Sequence, residues 1–298
     1  MNRPSDRTSR WPRISIVTPS FNQGRYLERT ILSVIGQNYP DLEYIVMDGG
    51  SDDGSVEIIR KHENHLAHWQ SGKDRGQADA IYRGFERAAG DLLGWINSDD
   101  YYLPGTLHAI GEAFRGNPGA EMFVAGTLFR REGGADTWKY YPFVQDFRSL
   151  LCAGMLFGQM ACFWSRRAFF ETGGFDRDLR FCFDYDMFLR LARRQRPVAV
   201  DRIGAVHRMH GETKTATIYH TVGLEEIDLV RKRFGIDTIP DDERDRIRTV
   251  TRSRFRASNR RGFLLDAFRD PLFFLRSAPF RVRDWLRSSR TERGRALL

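Results

Sequence analysis

Along the first hundred residues apolar positions follow two alternating rhythms. Ile14-Ser15-Ile16-Val17-Thr18-Pro19 is a β-branched run ended by a proline and predicts a first strand. From Tyr26 to Gln37 the spacing of Leu27, Ile31, Val34 and Ile35 is helical. Leu42 to Met47 predicts a second strand, followed by the polar, glycine-rich stretch Asp48 to Ser55 and a helix from Val56 to His62. Trp69 to Gly72 is a short strand, and Gly76 to Ala89 is a helix with Ala80, Ile81, Gly84, Phe85 and Ala88 on one face. Asp91 to Ile96 returns as a strand. Such alternation with short connections predicts an α/β fold, a parallel sheet with helices on both faces. Ligands of these sheets bind beyond the carboxyl ends of the strands. Asn22, Asp48 and the pair Asp99-Asp100 all fall at that edge.

The second half is less regular. Glu121 to Phe129 and Thr137 to Tyr141 predict strands of a hairpin around Gly133-Gly134. Gln159 to Trp164 is apolar and is expected beside the site. Arg166 to Thr172 is a short helix stopped by two glycines. Phe183 to Leu191 opens another helix with acids in its first turn, where the helix dipole favours them. Val198 to Val206 reads as a strand, followed by a loop, His207 to Gly211.

Composition narrows the class. With 41% hydrophobic and 29% charged residues the 298-residue chain has the balance of a soluble globular protein with an ample core. Cys152, Cys162 and Cys182 have no paired spacing, which argues against a disulfide framework or a zinc site and agrees with a cytoplasmic location. The N-terminus lacks an apolar signal-peptide core, and no apolar run is long enough to span a membrane. From Arg244 onward 16 Arg and no Lys stand against 5 acids, a net +11, so the first 243 residues carry −3 of the total +8. The basicity belongs to a tail in which Phe263, Leu264, Leu265, Phe268, Trp285 and other bulky residues alternate with arginines. One or two amphipathic helices broken near Pro271 and Pro279 are expected, suited to an anionic membrane surface or to packing on the body. Nucleic acid is not the expected partner, because no known module accompanies the charge.

The chemistry centres on Trp95-Ile96-Asn97-Ser98-Asp99-Asp100-Tyr101-Tyr102-Leu103-Pro104. A buried strand runs into two adjacent carboxylates, which are costly together unless a cation lies between them. Mg²⁺ or Mn²⁺ carrying a diphosphate would supply that charge. A solvated Asp-Asp turn ahead of the next helix is the alternative.

Ser15-Ile16-Val17-Thr18-Pro19-Ser20-Phe21-Asn22, Val46-Met47-Asp48-Gly49-Gly50-Ser51, Asn97-Ser98-Asp99-Asp100, Gly173-Gly174-Phe175-Asp176 and Phe183-Asp184-Tyr185-Asp186 occur in that order. Over roughly residues 13 to 215 the chain resembles an inverting glycosyltransferase of the GT-A fold, family 2, of the non-processive bacterial type. The resemblance implies a flexible N-terminus (1–12), a GT-A domain (13–240) with a mixed, mainly parallel sheet, and a basic helical extension (241–298). It implies a divalent cation, Mg or Mn, held by Asp99, with Asp100 and His210 as further ligands. Nucleotide-sugar contacts are expected from Pro19, Phe21, Asn22, Asp48, Asp79, Asn97, Ser98, Arg208 and Lys214. Asp184 falls on the family's general base, with Asp186 the alternative, and Gln159 and Trp164 are expected at the acceptor or sugar. The first acid of the family's metal motif is Asn97 here, and the second acid of its base-reading pair is Gly49.

The implied reaction moves a sugar from a nucleotide-sugar donor, UDP-linked in the leading reading, to a hydroxyl of a glycan or lipid-linked acceptor in cell-surface polysaccharide synthesis. A lipid-linked acceptor would give the basic tail a purpose at the inner face of the plasma membrane. A non-catalytic glycan-binding or scaffold protein on the same fold is the competing class. A sugar-nucleotide pyrophosphorylase is disfavoured by the missing glycine-rich N-terminal signature.

Overall fold

The computed structural model describes residues 10–133 and 137–269. Its elements run β1 (Ile14–Ser20), α1 (Gly24–Ile35), β2 (Leu42–Asp48), α2 (Ser55–Lys61), β3 (His68–Ser71), α3 (Gln77–Arg87) and β4 (Leu92–Trp95). Then come β5 (Tyr101–Tyr102), α4 (Thr106–Gly116), β6 (Met122–Arg131), β7 (Thr137–Tyr140), α5 (Phe147–Ala153) and β8 (Cys162–Ser165). The remainder is α6 (Arg166–Glu171), α7 (Phe183–Arg194), β9 (Val198–Met209), α8 (Lys214–Thr217), α9 (Leu224–Arg233) and α10 (Asp241–Arg269).

One sheet has the order β3-β2-β1-β4-β8-β6-β9-β5, with β7 pairing β6. Strands β1 to β4 are mutually parallel, and β8 joins them to the second half by antiparallel pairing with β4 and β6. The period-2 pattern of the strands divides two cores. Ile14, Ile16, Tyr44 and Val46 pack on the α1 side, whereas Val17, Ile45, Met47, Leu93 and Trp95 pack with Phe85, Phe169 and Phe188 on the other. Every residue of β1 is buried, as expected of a parallel strand covered on both faces. Gly84 permits the close approach of α3, since a Cβ there would stand 2.7 Å from Val17 Cγ1 and 3.3 Å from Met47 Cγ.

Two expectations need correction. Strand β9 continues through Met209, because His207, Arg208 and Met209 stay in parallel register with Phe129, Arg130 and Arg131. His207 and Arg208 are therefore strand residues, not loop residues. The basic extension begins as one unbroken helix, α10, and the expected breaks at Pro271 and Pro279 lie outside the described residues, as does most of the N-terminal stretch 1–12. Residues up to Phe255 form one compact unit, and those from Arg256 a second. Within the first unit the start of α10 packs on the body. Phe255 meets Tyr140 and Phe143 edge-on at 4.9 and 5.4 Å, and Glu243 pairs with Arg148 at 2.9 Å. Among the described residues no helix is long and apolar enough to cross a membrane.

The aromatic core supports the strand that carries the acidic pair. Trp95 is 1% exposed and lies against Trp164, Phe175, Phe183 and Phe188, with centroids 5.2 to 6.4 Å apart. Phe188 also meets Phe157 and Trp164 edge-on. Phe188→Ala should cost about 3–5 kcal/mol through the lost burial and the cavity left behind. The check is a lower urea midpoint with an unchanged slope.

Candidate active site

The edge of the sheet is assembled loop by loop. Asn22, at φ +50°, ties the loop after β1 to the loop after β2. Its N–H donates to Ser51 Oγ at 2.8 Å, and its Oδ1 accepts the Asp52 N–H at 3.1 Å. Asp48 accepts from the Gly50 and Ser51 N–H groups at 3.0 and 2.9 Å and from the Ser51 and Ser71 hydroxyls at 2.6 Å each. Four donors saturate a carboxylate. Asp48 therefore shapes the loop, correcting its expected role as a nucleotide contact. Pro19 is corrected likewise, being buried inside β1 opposite Met47. Phe21 is 61% exposed beside Gly49, where a Cβ would meet Phe21 Cδ2 at 3.2 Å and Asp74 Oδ2 at 3.1 Å, so this floor is open.

At the head of α3, Asp79 is buried and faces Arg75 Nη2 at 3.2 Å and Arg177 Nη1 at 3.4 Å. Burial alone would raise its pKa, but the Arg75 hydrogen bonds and the two positive charges prevail and hold it below the usual carboxylate value. The same helix start reaches the acidic stretch, where Gln77 Nε2 donates to Asn97 Oδ1 at 2.7 Å. Ser98 is buried, and its carbonyl lies 2.7 Å from the Thr30 hydroxyl.

The two adjacent acids have opposite fates. Asp100 is wholly buried. It accepts from the Arg208 N–H at 2.9 Å and faces His207 Nδ1 at 3.1 Å, while the Thr30 hydroxyl lies 2.6 Å from its carbonyl. Asp100, expected as a further metal ligand, is thus engaged from within the fold by Arg208 and His207. Asp99 turns to His210, whose Nε2 is 3.0 Å from Asp99 Oδ2 and whose ring lies 4.7 Å from that of Tyr26. Burial and the charge of Asp100 push the Asp99 carboxyl above its ordinary pKa, against the pull of His210 and His207. Burial would hold His207 down, but Asp100 outweighs it and raises the imidazole.

A nitrogen and an oxygen 3.0 Å apart have the spacing of neighbouring ligands on an octahedral ion with bonds of about 2.1 Å. Among the described residues no group of three or more His, Cys, Asp or Glu side chains is placed to hold a metal ion by itself. The residues thus fit a cation with two protein ligands whose other positions fall to phosphate oxygens and water. Arg208, expected at the diphosphate, reaches back to α1. Its Nε donates to the Asp99 carbonyl and its Nη2 to the Tyr26 carbonyl at 3.2 Å, with the guanidinium over the Tyr26 ring.

Helix α7 opens with Phe183 against Trp95, centroids 5.9 Å apart. Asp184 is partly buried, and its Oδ1 accepts the Tyr185 N–H at 2.7 Å. Among the described residues it has no ion pair. Burial raises its pKa from the ordinary 3.8 to about 6, only partly offset by backbone N–H donors and the charge of Lys214. Lys214 stands in the field of Asp184 and donates to the Arg180 carbonyl at 2.9 Å, with burial lowering its own pKa to about 8. Asp186 is buried between Arg190 at 2.5 Å and Arg233 at 3.1 Å, so it pins helices together and is corrected as an alternative base. Trp164 is fully buried in the aromatic core, and Gln159 is buried with Nε2 donating to the Trp95 carbonyl at 3.1 Å. Neither presents a face to an acceptor. Gln77, Thr30, Tyr26 and His207 were not named as site residues in advance; Gln77 opens the helix start Gln77-Ala78-Asp79-Ala80 and His207 lies in the stretch before His210, so both had a local signal.

A sheet covered on both faces, with an Asp–His pair at its carboxyl edge, has the fold of GT-A type glycosyltransferases. The chain belongs to glycosyl transferase family 2, whose description matches residues 15–190. An uncharacterized glycosyltransferase of Mycobacterium tuberculosis is 33% identical over 192 residues, 63% of this chain and 72% of that protein. TarS of S. aureus shares the fold at 15% identity with a TM-score of 0.59, over 79% of this chain and 42% of its own. The mannosyltransferase PcManGT from Pyrobaculum calidifontis, in complex with GDP-Man and Mn²⁺, has a TM-score of 0.57 at 15% identity, over 95% of this chain and 86% of its own. This chain thus spans less than half of full TarS.

The raised pKa of Asp184 has a consequence for stability. The native state holds this proton more tightly than the unfolded chain, so the associated stability is complete below about pH 4 and is lost as pH rises through about 6. Asp184→Asn should therefore melt increasingly above the native protein between those values and keep a constant lead beyond. A gap that does not change with pH would contradict the assignment of a buried, unpaired carboxyl.

Proposed function

We propose that this glycosyltransferase inverts configuration, uses a divalent cation, Mg or Mn, and moves a sugar from a nucleotide-sugar donor to a hydroxyl of a glycan or lipid-linked acceptor in cell-surface polysaccharide synthesis. The observation that carries the reading is Asp184. It is a carboxyl without an ion pair among the described residues, tuned to about 6, on the helix whose first ring packs on the strand leading to Asp99. The donor class is supported by TarS 1–349, solved with UDP-GlcNAc, and by PcManGT, solved with GDP-Man and Mn²⁺. A UDP-linked sugar is the first donor to test.

Asp184 accepts the proton of the acceptor hydroxyl as that oxygen attacks the anomeric carbon. The bond from that carbon to the diphosphate oxygen breaks, and the nucleoside diphosphate departs from the opposite side. Asp99 and His210 would hold the cation, which when bound supplies electrostatic stabilisation to the leaving diphosphate. Phe21 and Gly49 offer an open floor for the nucleoside, and Gln77 orients Asn97 at the same edge.

Three measurements test this. The pH profile of kcat/KM should rise about tenfold per unit up to about pH 6 and then level, because the base works only when ionised. Asp184→Asn should lower kcat by about 10²–10⁴-fold while leaving metal-dependent nucleoside diphosphate binding intact. Asp99→Ala should remove that metal dependence. Full transfer by the Asn variant, or unchanged metal-dependent binding by the Ala variant, would reject the corresponding role.

The basic extension is assigned to an anionic membrane surface. Arginines along α10 flank exposed Leu264 and Leu265, a pattern that suits interfacial insertion. Removing residues 256–298 leaves Phe255 and its packing in place and should release the protein from vesicles containing anionic lipid. Retained binding would overturn the assignment.

A further inference from the structure

The turn that delivers Asp184 is held from outside its own helix. Cys182, the residue that precedes α7, makes no side-chain bond to the helix start. Glu226, half-buried on α9, does the holding instead. Its Oε1 accepts the Arg180 N–H at 2.7 Å, and its Oε2 accepts the Phe181 and Cys182 N–H groups at 2.7 and 2.8 Å. Hydrogen bonds to an ionised acceptor are about twice as strong as neutral ones, and here one carboxylate collects three in a row. Lys214 grips the same turn by its carbonyl side, Nζ donating to the Arg180 carbonyl at 2.9 Å. The contact is close-packed as well as charged. A Cβ on Gly223 would stand 3.1 Å from Phe181 Cδ1, and Tyr219 meets that ring edge-on at 5.8 Å. Residues 214 to 226, which follow His210, thus clasp residues 180 to 182, which precede Asp184.

We propose that Glu226 is a positioning residue for sugar transfer: by fixing residues 180–182 it sets the direction of the Asp184 carboxyl, with Lys214 as the second arm. This role rests on Asp184 being the base. Asp184 has no ion pair among the described residues and accepts the N–H of its own neighbour Tyr185, so the local backbone decides where its oxygens lie. A reacting group misplaced by about 1 Å costs on the order of 10²-fold in rate. The two arms also act on the base through space, in opposite senses. Burial is the main cause of the raised Asp184 pKa, Lys214 draws it back, and Glu226 adds to it. The buried thiols of Cys162 and Cys182 share the same field.

An NMR titration of the full chain labelled with ¹³C-aspartate tests the clasp without any substrate, Asp184→Asn identifying the Asp184 signal. Glu226→Gln should move the Asp184 midpoint to lower pH, and Lys214→Met should move it to higher pH. A merely structural cap would not shift it in these opposed directions. The kinetic arm follows UDP release from UDP-GlcNAc with Mn²⁺, water serving as acceptor. Glu226→Ala should lower kcat about tenfold or more with the donor KM kept within about twofold, because α1 and β9, not this turn, hold the Asp99 edge. Added to Asp184→Asn, Glu226→Ala should cause no further loss, since it acts through that carboxyl. Midpoints that stay put or move together, an unchanged kcat, or a full further loss in the Asp184→Asn background would overturn the role. The titration decides by itself where wild type releases no UDP. Full turnover by Asp184→Asn alone would instead reject the base, so the two failures are told apart.

Discussion

The burial of Asp100 is the constraint on which the site depends. A carboxylate removed from water at a strand end is costly unless its oxygens are satisfied, and here strand β9 supplies the partners. The Arg208 N–H and His207 Nδ1 take the carboxylate, and Thr30 of α1 holds the carbonyl. These bonds lock α1, the β4–β5 turn and the end of β9 into one corner. Because Asp100 is turned inward, its neighbour Asp99 is turned the other way, toward His210. A one-residue slip of this turn would exchange the buried acid for the outward one.

Around that corner the same physics separates three carboxylates that look alike in composition. Asp186 is buried and neutralised by two arginines, so it is structural. Asp79 is buried and held ionised by Arg75 and Arg177. Asp184 is the one of the three left without such a partner, and burial raises it toward neutrality. A base that must take a proton near pH 7 is best served by that third environment. Asp186 lies two residues on from Asp184, so spacing alone could not have separated them.

Much of the edge was legible before any coordinates. The alternation in Ile14 to Pro19 and Leu42 to Met47 predicted strands whose ends carry Asn22 and Asp48, and the structure places both there. What was misread were directions of side chains. Trp164 was expected at a sugar but fills the core beside Trp95, and Asp48 was expected to meet a ligand but folds back on its own loop. Arg208 follows the same pattern, since the continuation of β9 turns its guanidinium back to α1.

The chain's apolar periodicity, glycine stops and acidic positions thus determined most elements of the first half and the working edge, and its ordered motifs carried the family resemblance. These are local properties, encoded within a few residues of each other. Which acid is buried, which is paired and which is left without an ion pair was decided by partners both one helical turn away, such as Arg190 for Asp186, and far along the chain, such as Arg233 for Asp186 and His210 for Asp99. A carboxylate's role is set by the charges and dipoles that surround it in space, and only the packed fold brings those together.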